Sequence, residues 1–165
     1  MQYGLDVVTI RMVKEPTWYS ENPVSSPEEV AQFISKEFAE FDREVAAVLN
    51  LSMDGRVINM NIVSVGALYN TELQAREVFK SSILSNAAAF ILVHNHPSGR
   101  LLPSREDKLS TQKMREAGNL LGIELLDHLI VGDKKGHYFS FREENILNNN
   151  FYLELLREER KAYER

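Results

Sequence analysis

A chain of 165 residues is long enough for one domain with a substantial core. Hydrophobic residues make up 44% and charged residues 26%, a balance that fits a folded globular protein and sets aside disorder. Cysteine is absent, which excludes disulfides and thiolate metal sites, and a net charge of −5 gives no overall pull towards a phosphate backbone. No apolar run approaches the roughly 18–20 residues that span a bilayer. The first apolar stretch, MQYGLDVVTIRMVKEP, carries acid and base inside it and makes a poor secretory signal. The expectation is a cytoplasmic protein with no membrane association.

In chain order, GLDVVTIRMV is β-branched and reads as a short strand, followed by a linker-like EPTWYSENPVSSP. Ser26, Pro27 and Glu29 then spell a helix start, with Ser26 as N-cap, Pro27 at the first helical position and Glu29 closing a capping box. Val30, Phe33, Ile34, Phe38 and Phe41 follow at helical spacing. Residues 43–65 read as two strands around a turn at Asp54-Gly55. Thr71 and Glu72 are expected to open a second helix, TELQAREVFKSSILSNA. The run AAFILVH has strand length and no polar face, so it is expected to be buried on both sides. Ser104 opens a third helix that Gly122 can end, IELLDHLIVG is a strand, and Gly136 turns the chain into a last strand, HYFSF. The tail from Asn145 reads as a charged, partly amphipathic helix. Alternating strands and helices with two hairpins predict an α/β fold built on one mixed sheet.

The chemistry concentrates in residues 93–110, VHNHPSGRLLPSREDKLS. Residues i and i+2 of a strand share a face, so His94 and His96 can aim two imidazoles at one point. Pro97 stops the strand and Ser98-Gly99 let it turn. Asp107 falls in the first turn of the next helix, where the dipole favours a carboxylate. Two imidazoles and a carboxylate suit zinc, with a fourth position left for water. Taken singly, each feature has a plainer reading: half-exposed histidines at a strand end, and an acid answering Ser104 in a capping box. Other zinc patterns do not fit, because the deaminase signature needs cysteines and no HExxH occurs.

HxHP followed by PSxxD, with the aspartate eleven positions after the second histidine, resembles the signature of the JAMM (MPN) metalloproteases. More narrowly, HNHPSG and PSREDKLST followed by LLDHLIVG resemble the RadC-like branch, over about residues 43–142. The resemblance implies the cytidine-deaminase-like MPN/JAMM fold, a mixed β-sheet sandwiched by helices in a single domain. It implies one zinc ion (Zn2+) per chain on His94, His96 and Asp107. The family's catalytic glutamate maps onto Glu44 in DREVAAVLNL, which by itself reads as a surface acid beside Arg43, and the serine of SxxD maps onto Ser104. The implied activity is hydrolysis of a peptide or isopeptide bond in a peptide or protein substrate. Glu44 would act as general base towards a metal-bound water, and Ser104 would donate a hydrogen bond to the oxyanion.

Several residues keep two readings. His128 alternates with apolar neighbours, as a buried hydrogen-bonded histidine does, and Asp127-His128 can also support the metal ligands from behind. His137, beside a turn, reads as surface. Asn95 stands where eukaryotic members have serine or threonine. Arg100-Leu101-Leu102 is less polar than is usual at that loop, which fits either a substrate contact or packing on the sheet. The division expected is an N-terminal strand and linker over 1–27, the RadC-like domain over 28–142 and a charged helix over 143–165. That last helix, with Phe151, Leu155 and Leu156, reads as solvated or as the arm of a homodimer. The alternative function is a metal-stabilised, non-catalytic interaction module in DNA maintenance or a mobile element. Without the repeated hairpin glycines of a DNA-binding region ahead of the match, direct nucleic-acid binding is expected to be weak at most.

Overall fold

The computed structural model describes Thr9 and residues 11–15, 26–38, 40–66, 73–132 and 135–147. The order of elements is α1 (Pro27–Phe38), β1 (Val45–Leu51), β2 (Val57–Val65), α2 (Ala75–Leu84), β3 (Ala89–Asn95), α3 (Arg105–Leu121), β4 (Glu124–Val131) and β5 (Tyr138–Ser140). The strands form one mixed sheet in the order β2-β1-β3-β4-β5, with β3 and β4 parallel and every other neighbour antiparallel. Helix α3 is the crossover that a parallel β3–β4 pair requires, and residues 96–104 join it to the end of β3.

Helix α1 starts as its sequence dictates. Ser26 Oγ accepts the Glu29 N–H at 3.2 Å and Glu29 Oε2 accepts the Ser26 N–H at 3.0 Å, satisfying two donors that a bare helix end leaves open. Its inward face, Val30, Ala31, Ile34 and Phe38, packs on Val45, Ala47, Leu49, Ile91 and Val93 of the central strands, with Phe33 and Phe41 at the margin. The other face of the sheet, Ala46, Val48, Phe90, Leu92 and Leu125, packs on Val78 and Phe79 of α2 and Met114 of α3. Both central strands are therefore buried along their whole length, as the unbroken apolar run of β3 predicts. Each fully buried aliphatic or aromatic side chain contributes roughly 1.5–3 kcal/mol.

Thr71 and Glu72, expected to open α2, lie outside the described residues; Leu73 and Gln74 carry no regular element, the helix begins at Ala75, and the capping residue, Gln74, makes no side-chain cap bond. Burial of Leu73, Val78 and Phe79 against the sheet sets this helix, and no cap is needed to start it. The strand expected over residues 4–13 falls largely outside the described residues; Thr9 and residues 11–13 carry no regular element. Asn145 lies in a turn that runs through Leu147, and the rest of the tail, with its dimer arm, lies outside the described residues. No helix among the described residues is long and apolar enough to cross a membrane.

Candidate metal centre

Strand β3 delivers the first side chain of the candidate site. The even-numbered residues Phe90 and Leu92 face α2 and α3, so His94, two further on, faces the same way at the end of the strand and is 2% exposed. His96 lies just beyond, tied back to β4 by its N–H to the Val131 carbonyl at 3.0 Å. Helix α3 delivers the third side chain through its cap. Ser104 Oγ accepts the Asp107 N–H at 3.0 Å, while Asp107 Oδ2 accepts both the Ser104 N–H and its hydroxyl at 2.7 Å each. This capping box commits Oδ2.

The three side chains converge. His94 Nε2 lies 3.0 Å from His96 Nε2 and 3.3 Å from Asp107 Oδ1; His96 Nε2 lies 3.5 Å from Asp107 Oδ2. One ligand atom from each sits within 4.8 Å of the others, a group that can hold a metal ion. Ligand atoms about 2.0–2.1 Å from a tetrahedral ion stand about 3.3 Å apart, so the spacing found suits one small divalent cation. The proton positions suit it as well. His96 Nδ1 lies 2.5 Å from the Arg100 carbonyl, which can only accept, so Nδ1 carries the hydrogen and Nε2 keeps its lone pair.

Electrostatics bind the trio together. Burial works against the Asp107 carboxylate, but hydrogen bonds and charge from the protonated forms of His94 and His96, together with the Ser104 hydroxyl, outweigh it and hold its pKa below the ordinary range. A hydrogen bond to Asp107 that only the protonated ring can make raises the His96 pKa, with smaller contributions from the Arg100 carbonyl and the charge of Glu44. Glu44 is half-buried one residue before β1. Ala46 pairs with His94 at the end of the antiparallel β1–β3 ladder, and Glu44 comes two residues before the one as His96 comes two residues after the other.

Behind His94 stands a second layer that the sequence reading left unresolved. His94 Nδ1 lies 2.8 Å from His128 Nε2. His128 Nδ1 lies 2.6 Å from the Thr111 hydroxyl. The His128 ring is 1% exposed and stacks on Phe141 with centroids 4.9 Å apart. Burial, reinforced by His94, drives its pKa well below the ordinary value. Asp127 is turned away from the ligands. It accepts from the His128 N–H at 2.7 Å, the Ser140 hydroxyl at 2.6 Å and the Arg142 N–H at 3.0 Å, tying β4 to β5. Burial raises its pKa against those three donors.

Asn95, between the two histidines, points to the opposite face. Its Oδ1 accepts the Val45 N–H at 2.6 Å and its Nδ2 donates to the Arg43 carbonyl at 3.2 Å, so it clamps the backbone on both sides of Glu44. Thr111 was not singled out from the sequence. Its signal is the helical spacing of four from Asp107, which puts both on one face of α3. The loop leucines divide: Leu101 packs close to Gly132, while Leu102 is 60% exposed. His137 is exposed.

Residues 24–146 match the family model described as RadC-like JAB domain. Among curated proteins, a UPF0758 protein of Moorella thermoacetica is 44% identical over 128 residues, 78% of this chain and 55% of that protein. One from Rubrobacter xylanophilus is 44% identical over 124 residues, 75% of this chain and 53% of its own length. One from the archaeon Methanosarcina mazei is 39% identical over 135 residues, 82% and 56% respectively. The chain spans about half the length of these relatives.

Proposed function

We propose a function from one premise: this chain belongs to the RadC-like JAB domain family. The reading is a zinc-dependent metallopeptidase that hydrolyses a peptide or isopeptide bond in a peptide or protein substrate. The observation that carries it is the convergence of two imidazole nitrogens and a carboxylate oxygen at 3.0 and 3.3 Å. Two nitrogens and one oxygen are a donor set that zinc favours, and three protein ligands leave a position for water or substrate. When bound, such an ion polarises a carbonyl and lowers the pKa of a coordinated water towards neutrality.

The remaining work falls to the chain. Glu44, whose charge is felt at His96, is the general base. Its carboxylate takes one proton from the attacking water as the C–O bond forms. It then returns that proton to the departing nitrogen as the C–N bond breaks, leaving an amine and a carboxylic acid that keeps the second proton of the water. Ser104 is the candidate oxyanion donor. Its single hydroxyl proton is directed at Asp107 Oδ2, so this role requires the hydroxyl to rotate towards substrate.

The test is metal content of protein purified without chelator, followed by assays on peptide and isopeptide substrates. One zinc per chain is expected in the wild type and in Glu44→Gln, and none in Asp107→Ala. Glu44→Gln should lose on the order of 10²–10⁴-fold in kcat. No metal in a folded wild-type chain would overturn the reading and leave a non-catalytic module that needs no metal to fold. Wild-type turnover by Glu44→Gln would remove the assigned base.

A further inference from the structure

The two imidazoles of the trio need their hydrogens on the far side, on Nδ1, if both Nε2 atoms are to face an ion. For His96 a backbone carbonyl settles this. For His94 the partner is another imidazole, which can donate or accept, so the answer lies one residue further back.

Thr111 supplies it. A threonine hydroxyl inside a helix can donate to the carbonyl four residues earlier, and here Thr111 Oγ1 donates to the Asp107 carbonyl at 2.6 Å. A hydroxyl has one hydrogen. With that hydrogen spent, the contact of 2.6 Å between Thr111 Oγ1 and His128 Nδ1 must be a hydrogen bond from His128 Nδ1–H to the threonine oxygen. A neutral His128 then presents a lone pair at Nε2, which accepts His94 Nδ1–H at 2.8 Å, and the His94 lone pair is left at Nε2, 3.3 Å from Asp107 Oδ1.

We propose that Thr111 and His128 are positioning residues: a one-way chain of hydrogen bonds, from His94 through His128 and Thr111 to the Asp107 carbonyl, fixes the His94 hydrogen on Nδ1 and aims its Nε2 at the metal position. The chain begins at one ligand and ends on the backbone of another, so it also sets the spacing between β3 and the first turns of α3. Its use in metal binding rests on the peptidase reading above, but the position of the hydrogen does not.

Three structural facts support the direction of the chain. Thr111 is 3% exposed and His128 1%, which leaves little room for water to offer either an alternative partner. The His128 ring is held flat against Phe141, 17° from parallel, so it cannot turn to exchange its nitrogens freely. The strand geometry is arranged for the contact: β4 pairs Phe90 with Leu125 but Ile91 with Asp127. The extra residue, Leu126, is a bulge that turns His128 to the same face as His94.

Thr111→Val keeps the shape and removes the acceptor. His128 Nδ1–H would then be buried without a partner, so the favoured arrangement moves its hydrogen to Nε2, makes it the donor to His94 and drives the His94 hydrogen to Nε2. The experiment is side-chain 15N–1H correlation spectroscopy of the metal-free protein at pH 8, where four histidines keep the spectrum sparse, together with zinc affinity by competition with a chromogenic chelator. In the wild type and in Thr111→Ser, His94 and His128 should both carry hydrogen on Nδ1. In Thr111→Val both should shift to Nε2, and zinc affinity should fall about 10–100-fold. His128→Gln, whose amide oxygen can accept from His94, should retain more affinity than His128→Phe. A wild-type His94 protonated on Nε2, or a Thr111→Val protein with unchanged histidine signals, overturns the relay. A wild-type chain that shows the expected signals but binds no zinc upholds the relay and overturns the peptidase reading instead.

Discussion

The two imidazoles at the end of β3 are two residues apart and are held by different kinds of structure. His94 is 2% exposed and is backed by His128, which lies in the core against Phe141. His96 is partly buried, its side chain 12% exposed, and is backed by the Arg100 carbonyl of a turn that its own chain makes. One ligand is fixed by tertiary packing and the other by the conformation of a loop. A group of side chains held in these two ways can keep its geometry on one side while the other adjusts. The two arms should therefore fail separately.

The largest failure is on the buried arm. Phe141 is fully buried, and Phe141→Ala should cost about 3–5 kcal/mol of stability, read by urea unfolding of the metal-free protein. The cavity opens against the His128 ring, so zinc affinity should fall with it, through His94. Stability lost without any change in zinc affinity would mean that the stacked ring does not hold the relay. The next effect is on the loop arm. A Cβ on Gly132 would lie 2.8 Å from Leu101 Cδ2 and 2.9 Å from the Gly99 carbonyl oxygen. The leucine tip can move aside, but the carbonyl belongs to the turn that follows His96. Gly132→Ala should cost about 1–3 kcal/mol, shift the His96 ring signals and leave those of His94 and His128 where they were. Equal shifts at both ligands would show that the arms are coupled.

The same division explains what could be read from the sequence. The metal trio is legible because each part is fixed by a local rule: residues i and i+2 of a strand share a face, and a serine three residues before an aspartate makes a helix cap. Helix α1 is legible for the same reason, from Ser26 to Glu29. The layer behind the trio is not, because it depends on register between strands distant in sequence. Which face His128 takes is decided by the bulge at Leu126, which no pattern in LLDHLIV announces. Asn95 reads as a bystander between two ligands, yet its side chain crosses to the other face and bonds residues fifty positions away. Thr111 carries no motif of its own. Its role follows only once His128 is known to sit 2.6 Å from it. Glu44 is placed by resemblance alone, and what supports it in the structure is the reach of its charge to His96.

The smallest effect concerns the third ligand, which belongs to neither arm. Asp107 Oδ2 accepts two hydrogen bonds from one residue, the Ser104 backbone N–H and the Ser104 hydroxyl, both at 2.7 Å. Ser104→Ala removes the second and keeps the first, and it also takes away the acceptor of the Asp107 N–H. The lost cap should lower the stability of the metal-free protein by about 1 kcal/mol, with Ser104→Thr close to the wild type. The backbone N–H still orients the carboxylate, so zinc affinity should fall by less than the 10–100-fold expected for the relay. Loss of zinc as complete as in Asp107→Ala would show that the hydroxyl, and not the main chain, aims the third ligand. In that case its proton could not be spared for an oxyanion without releasing the metal, and Ser104 would have to be withdrawn as the oxyanion donor.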